Sequence, residues 1–255
     1  MDSRRLFPFA PAKASTALLK GWTLATLLLA FSAAGRAGAG EWQTAIEDSF
    51  TVGADRPAGS PLAGSMTEKG ERVWRTKGNA ALFVLTPEGQ VGNGNINGGK
   101  MVALLDCVPD AGYQEIKIEA DIQPGAAQWL GMGFSKGDDL FWSKETPGQL
   151  WLVITKGGQA QIFANATATM LKGVKAEEYG FDPEKPVHAE ILYNRPANAV
   201  TVTLNGQKVL DARALGDFQP DIKTAGIMDN FPQPNDPKMR LDNFTVSVRT
   251  GAAAQ

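Results

Sequence analysis

An all-β chain, folded as an antiparallel sandwich or barrel, is what this sequence predicts, and three observations carry the prediction. Val200, Val202 and Leu204 alternate with Thr201, Thr203 and Asn205, the period of a strand with one dry and one wet face. Asn205-Gly206 follows at once, and this pair tolerates the positive φ values of a two-residue hairpin turn. About a dozen comparable runs recur between clusters of Gly, Pro, Asn and Asp, with no long amphipathic helix among them.

Taken in order, the candidate strands are 45–50, 71–75, 80–85, 100–107, 113–122, 129–134, 149–155 and 159–164, then 187–193, 199–205, 207–212, 222–228 and 239–248. In 113–122, Ile116, Ile118, Ala120 and Ile122 share one face while Glu115, Lys117, Glu119 and Asp121 share the other. In 187–193, Val187, Ala189, Ile191 and Tyr193 form a second apolar row. In 239–248, Met239 and Leu241 have one parity and Phe244, Val246 and Val248 the opposite one. That phase change at Asp242-Asn243 predicts a β-bulge, which admits one extra residue and swaps the buried parity. Trp74, Trp129 and Trp151 are expected in the core. The helical candidates are short, at 166–171 or 176–179, and the Gly/Asn stretch 92–99 reads as turn rather than phosphate loop, having no Lys-Ser/Thr after it.

Residues 1–39 read as a signal peptide: a basic leader with Arg4, Arg5, Lys13 and Lys20, an apolar run over 22–34, and small residues Ala37-Gly38-Ala39 at the cleavage site. Arg4-Arg5 also resembles a twin-arginine signal, so the general secretory and twin-arginine routes stay open. Residues 40–250 suit a single β-sandwich domain, and 251–255 are a tail. Export implies a periplasmic or extracellular location, with no membrane span expected once the leader is cut. Removing 1–39 takes away five basic groups and Asp2, so the formal charge goes from −2 to −6. An acidic domain without a basic cluster is a poor partner for phosphate backbones, and no nucleic acid is expected. The single Cys107 allows no internal disulfide and is expected to be an inert buried thiol.

Several segments together resemble the concanavalin A-like lectin/glucanase superfamily, in its laminin G-like branch. They are Asp48-Ser49-Phe50 with Arg56, 59–65, Thr67-Glu68 and Trp74; 118–122 with Trp129-Leu130-Gly131-Met132-Gly133-Phe134; and Tyr193-Asn194, 200–206 and 241–246. The opening segment is similar to that of many bacterial exported domains of this type. The branch includes sugar-binding modules and enzymes, so the resemblance implies an antiparallel two-sheet jelly-roll β-sandwich and leaves the activity open.

The chemistry favours binding. A retaining glycosidase needs two carboxyls about 5–5.5 Å apart, and Glu119 and Asp121 are the candidates for that catalytic role. Lys117 interrupts the run and Gln123 stands where a third carboxylate is wanted, so a solvated face is the plainer reading. His188 is the only histidine; any Ser-His-Asp triad must use it, and with one Cys it cannot complete a zinc shell. The fold resemblance also implies compatibility with a structural calcium ion. Asp138-Asp139, Asp229-Asn230, Asp236 and Asp242-Asn243 lie in or near loops where oxygen ligands are available.

Ligand-binding candidates are Asp138, Asp139, Phe141 and Trp142 in the long loop 136–148, with Asn230 and Phe231 in the loop 229–237. Aromatic rings stack on the C–H faces of sugars while carboxylates and amides take the hydroxyls. The expected function is an exported non-catalytic binding module for polysaccharide or cell-surface glycan. A glycoside hydrolase or lyase of the same fold, and an adhesion or scaffold domain for a protein partner, are the alternatives.

Overall fold

Alternation along each strand decides which side is buried, and the order in which strands pair decides what that side meets. The computed structural model describes residues 40–77, 83–94, 100–107, 112–137, 148–164, 169–230 and 236–251. The expected leader and the loop carrying Asp138, Asp139, Phe141 and Trp142 lie outside the described residues, as does Phe231.

The strands are β1 Gln43–Asp48, β2 Arg75–Lys77, β3 Phe83–Leu85, β4 Val91–Asn93 and β5 Lys100–Asp106. Next come β6 Glu115–Gln123, β7 Trp129–Ser135, β8 Gly148–Thr155, β9 Ala160–Ala164 and β10 Thr169–Val174. After a 3₁₀ turn at Ala176–Tyr179 follow β11 Val187–Asn194, β12 Ala199–Leu204, β13 Gln207–Ala214, β14 Thr224–Asn230 and β15 Arg240–Arg249. They form two antiparallel sheets. One has the order β13-β12-β11-β6-β15-β4-β3, with β1 also on β15; the other has the order β10-β9-β8-β7-β14-β5-β2.

The inner rows pair in register across the first sheet. Ile116, Ile118, Ala120 and Ile122 of β6 stand opposite Tyr193, Ile191, Ala189 and Val187 of β11, and all eight are buried. Burying each Ile or Val side chain among them contributes about 1.5–3 kcal/mol relative to leaving it in water. The expected bulge is present: Asp242 faces Asp121 and Thr245 faces Glu119, so β15 spends one residue more than β6. Asn243 absorbs the extra residue at φ 50°, and Leu241, Phe244, Val246 and Val248 all face the core. The hairpin at Asn205-Gly206 also forms, with φ of 48° and 77° and Leu204 paired to Gln207.

Several expectations need correction. The stretch assigned to a helix at 166–171 instead enters β10 at Thr169, which pairs with β9. Residues of an outer strand lack a strongly buried row, so their alternation is faint. The turn-like Gly92-Asn93 belongs to β4, whose partner is β3. The strand expected over 71–75 is reduced to a bridge between Met66 and Val73, and the paired segment begins at Arg75.

Only Trp74 of the three tryptophans expected in the core lies between the sheets. Trp151 has the opposite parity to Leu150 and Leu152 and joins Val102, Leu104, Val153 and Met228 in a second cluster, with Trp129 and Phe163 packed against it. Cys107 is buried between the sheets, and burial pushes its thiol up, so it is inert at neutral pH.

The opening segment is tied down by Asp48, whose side chain is fully buried. Its carboxylate accepts from Arg56 Nη1 at 2.8 Å and Nη2 at 3.1 Å, from Trp74 Nε1 at 2.7 Å and from the Phe50 amide at 2.9 Å. Asp48-Ser49-Phe50, Arg56 and Trp74 are thus one structural unit, which accounts for their co-occurrence without a ligand.

Candidate functional site

The bulge in β15 presents Asp242 and Asn243 on the outer face of the first sheet, beside Asp121 of β6 and His188 of β11. Asn243 Nδ2 donates to Asp121 Oδ2 at 2.7 Å, and His188 Nδ1 lies 2.8 Å from Asp121 Oδ1. His188 Nε2 is 3.8 Å from Glu119 Oε1, while Lys117 Nζ is 2.9 Å from Glu119 Oε2 and 3.5 Å from Glu190. The face is a linked network whose opposite charges stand side by side.

The network sets the protonation of its members. Hydrogen bonding to Asp121, then the neighbouring Glu119, pushes His188 up to about 10, so it is a cation at neutral pH. In return His188, aided by Asn243, holds Asp121 below the usual carboxylate range; His188 and Lys117 do the same for Glu119. Asp242 moves the other way: burial raises it, the nearby Asp121 and Glu68 charges add to the rise, and a 3.1 Å bond from Gln90 Nε2 opposes it.

Two clefts flank the turn that joins β3 to β4, and Pro87 and Glu88 line both. The larger, of about 580 Å³, runs toward Asn93, Asp236, Pro237 and Arg240. The smaller, of about 340 Å³, runs toward Ser49, Thr51, Asp242 and Asn243. Gly92 lines the larger one, where a Cβ would run into the Thr86 methyl. Arg240 Nη1 donates to the Met239 carbonyl at 2.7 Å, which fixes the guanidinium along the cleft wall. Glu88 opposite is held low by its own amide, by the Thr86 hydroxyl and, more weakly, by the Arg240 charge.

The polar residues the sequence singled out are therefore partly gathered and partly separated. Glu119 and Asp121 pair with β15 on either side of the bulge at Asn243, whereas Asp236 lines the larger cleft. Asn230 belongs to the other sheet, where it is buried and donates from Nδ2 to Gln128 Oε1 at 2.8 Å. Arg240, Glu88 and Gln90 were not anticipated. Glu88 and Gln90 sit in a turn-rich stretch, and Arg240 begins a strand with no pattern that sets it apart from other surface charges.

In the second cluster Trp151 offers no open stacking face. Trp151 stacks on Phe163 at 4.1 Å and 14° and is only 3 % exposed. Gly131 and Gly133 of β7 and Gly226 of β14 occupy the positions across the strands beside it, where the sheet is close to bare backbone.

A calcium ion takes six to eight oxygen ligands. Among the described residues no group of three or more carboxylate, imidazole or thiol side chains is arranged to hold a metal ion. Both Asp236 oxygens accept backbone amides, from Ala126 at 2.6 Å and Lys238 at 3.0 Å. Asp229 has two orphaned oxygens, but it stands among apolar core side chains. The described residues do not fit a calcium shell.

No family model matches the chain, and no curated protein matches it either. Among solved structures it is similar to the carbohydrate recognition domain of Emp47p, with 14 % identity, 80 % of this chain and 99 % of that chain covered, and a TM-score of 0.47. A Bacillus subtilis protein with a galectin-like fold gives 14 % identity, 70 % and 90 % coverage and a TM-score of 0.45. A legume lectin-like domain from Entamoeba histolytica gives 10 % identity, 71 % and 90 % coverage and a TM-score of 0.41. At these identities the likeness concerns the chain path alone.

Proposed function

We propose that this is an exported, non-catalytic glycan-binding domain, and that the two clefts around Pro87-Glu88 form its binding surface. The observation that carries this reading is the set of groups gathered there. Carboxylates of Glu88, Asp236 and Asp242 accept hydroxyl hydrogens, Arg240 and Asn243 donate to sugar oxygens, and Pro87 and Pro237 give the C–H face an apolar wall. The hydrolase alternative on Glu119 and Asp121 is disfavoured, because His188 beside both, with Lys117 at Glu119 and Asn243 at Asp121, favours the ionised form of each where a general acid must be neutral.

A panel of immobilised polysaccharides tests the proposal. Retention without released oligosaccharide is expected, and Arg240→Ala should weaken binding about tenfold or more, the size of a lost charge-assisted hydrogen bond. Oligosaccharide released by the wild type and abolished in Glu119→Gln would replace binding by hydrolysis. Retention unaffected by Arg240→Ala and Asp242→Asn would move the site elsewhere, and capture of a protein without any glycan retention would favour an adhesion role.

A further inference from the structure

Asp229 is fully buried, and it is the one carboxylate among the described residues with both oxygens orphaned. Its place on β14 explains this. It shares a face with Ala225 and Ile227, toward the inter-sheet core, and its cross-strand neighbours are Met101 of β5 and Leu130 of β7. Neither neighbour's side chain can donate a hydrogen bond, and the backbone amide of Asn230 is the one group that favours its ionised form. Asp236, of like sign, is the charge that acts on it, and among the described residues no Lys, Arg or His compensates.

The same strand end anchors a larger piece of the molecule. The Gln128 amide donates to the Asn230 carbonyl at 3.1 Å, Asn230 Nδ2 donates to Gln128 Oε1 at 2.8 Å, and the Ala126 amide donates to Asp236 Oδ2 at 2.6 Å. The turn between β6 and β7, the last residues of β14 and the wall of the larger cleft are thereby one connected unit.

We propose that Asp229 serves as a neutral buried acid rather than a calcium ligand, and that its proton keeps this unit closed. An ionised, unpartnered carboxylate is not tolerated among Met101 and Leu130, so loss of the proton opens the strand end to water. Burial pushes the group up to about 7, with Asp236 adding in the same direction and the Asn230 amide opposing. In the opened form an aspartate ionises near its ordinary value of about 3.9. The closed unit is therefore tightest below about pH 4, loosens by up to about tenfold per pH unit above that, and changes no further once pH exceeds about 7.

Amide hydrogen exchange at Ala126 and Gln128, corrected for intrinsic rates, tests this in the protein without any ligand. From about pH 5 to about pH 7.5 the wild type is expected to lose tenfold or more of its protection at both amides. Asp229→Asn should flatten the decline, and Asp229→Leu provides the same comparison if the buried amide itself opens the strand end. Millimolar calcium chloride should leave the wild-type decline in place. A decline of equal size in wild type and variants, or no decline in the wild type, overturns the proposal. So does calcium restoring full protection at the higher pH, which would make Asp229 a metal ligand.

Discussion

His188 and Asp121 stand directly opposite each other on β11 and β6, with Nδ1 2.8 Å from Oδ1. The same imidazole has its other nitrogen 3.8 Å from Glu119, so one ring bridges two carboxylates two residues apart on a strand. Without it, Glu119 and Asp121 would repel across the outer face.

That bridge predicts a pH signature. His188 is raised from its ordinary value to about 10 in the folded chain, so its contribution is complete below about pH 6.5 and is lost as pH rises through about 10. The half-exposed site screens the pair, which limits the effect to about 1 kcal/mol. Urea denaturation of wild type and His188→Gln should show a gap that is constant from about pH 5 to 6.5 and narrows toward pH 10. Parallel curves over the whole alkaline range would refute a charged bridge.

The buried Asp48 predicts a much larger effect. Asp48→Ala removes the acceptor for Arg56, Trp74 Nε1 and the Phe50 amide together, leaving the largely buried guanidinium only the more distant Glu68 carboxylate, 3.9 Å from Nη1. Removing one partner of such a pair costs about 3–5 kcal/mol. Trp74→Phe deletes one donor while keeping an aromatic ring between Phe50 and Phe244, and should cost less. Chemical denaturation gives both values, and equal losses in the two variants would contradict the network.

Gly226 predicts a loss that arises from backbone proximity. Its neighbours are Leu104 and Gly133, and a Cβ would be driven against the Ala103 carbonyl oxygen on the adjoining strand. Gly226→Ala should destabilise by about 1–3 kcal/mol, the usual penalty of overpacking. Gly112→Ala, where a Cβ meets nothing, should melt within about a degree of wild type. A Gly226→Ala variant as stable as wild type would show that the β5–β14 pair can separate without cost.

Period and turn chemistry explain why most strands were legible. Ile116 to Ile122 and Val187 to Tyr193 each carry an unbroken period-two row, and a one-residue slip would expose the entire row. Asp242-Asn243 was readable for the same reason, since the parity of the buried residues changes across it. β10 was not, because an outer strand has one sheet neighbour and little buried surface to impose a pattern. Trp129 and Trp151 show a different limit: an apolar residue on a strand is marked as buried, but its sequence does not say on which side of the sheet.

What the sequence determined by itself was the set of strand faces, the Asn205-Gly206 hairpin and the bulge, because each depends on neighbours within a few residues. Only the tertiary structure decided which polar residues meet. Asp121 pairs with His188 across 67 positions and with Asn243 across 122, and Gln90 reaches Asp242 across 152. Strand order creates those contacts, and strand order follows from packing two whole sheets together rather than from any local period. The same packing left Asp229 without a partner, a circumstance no local pattern around it records.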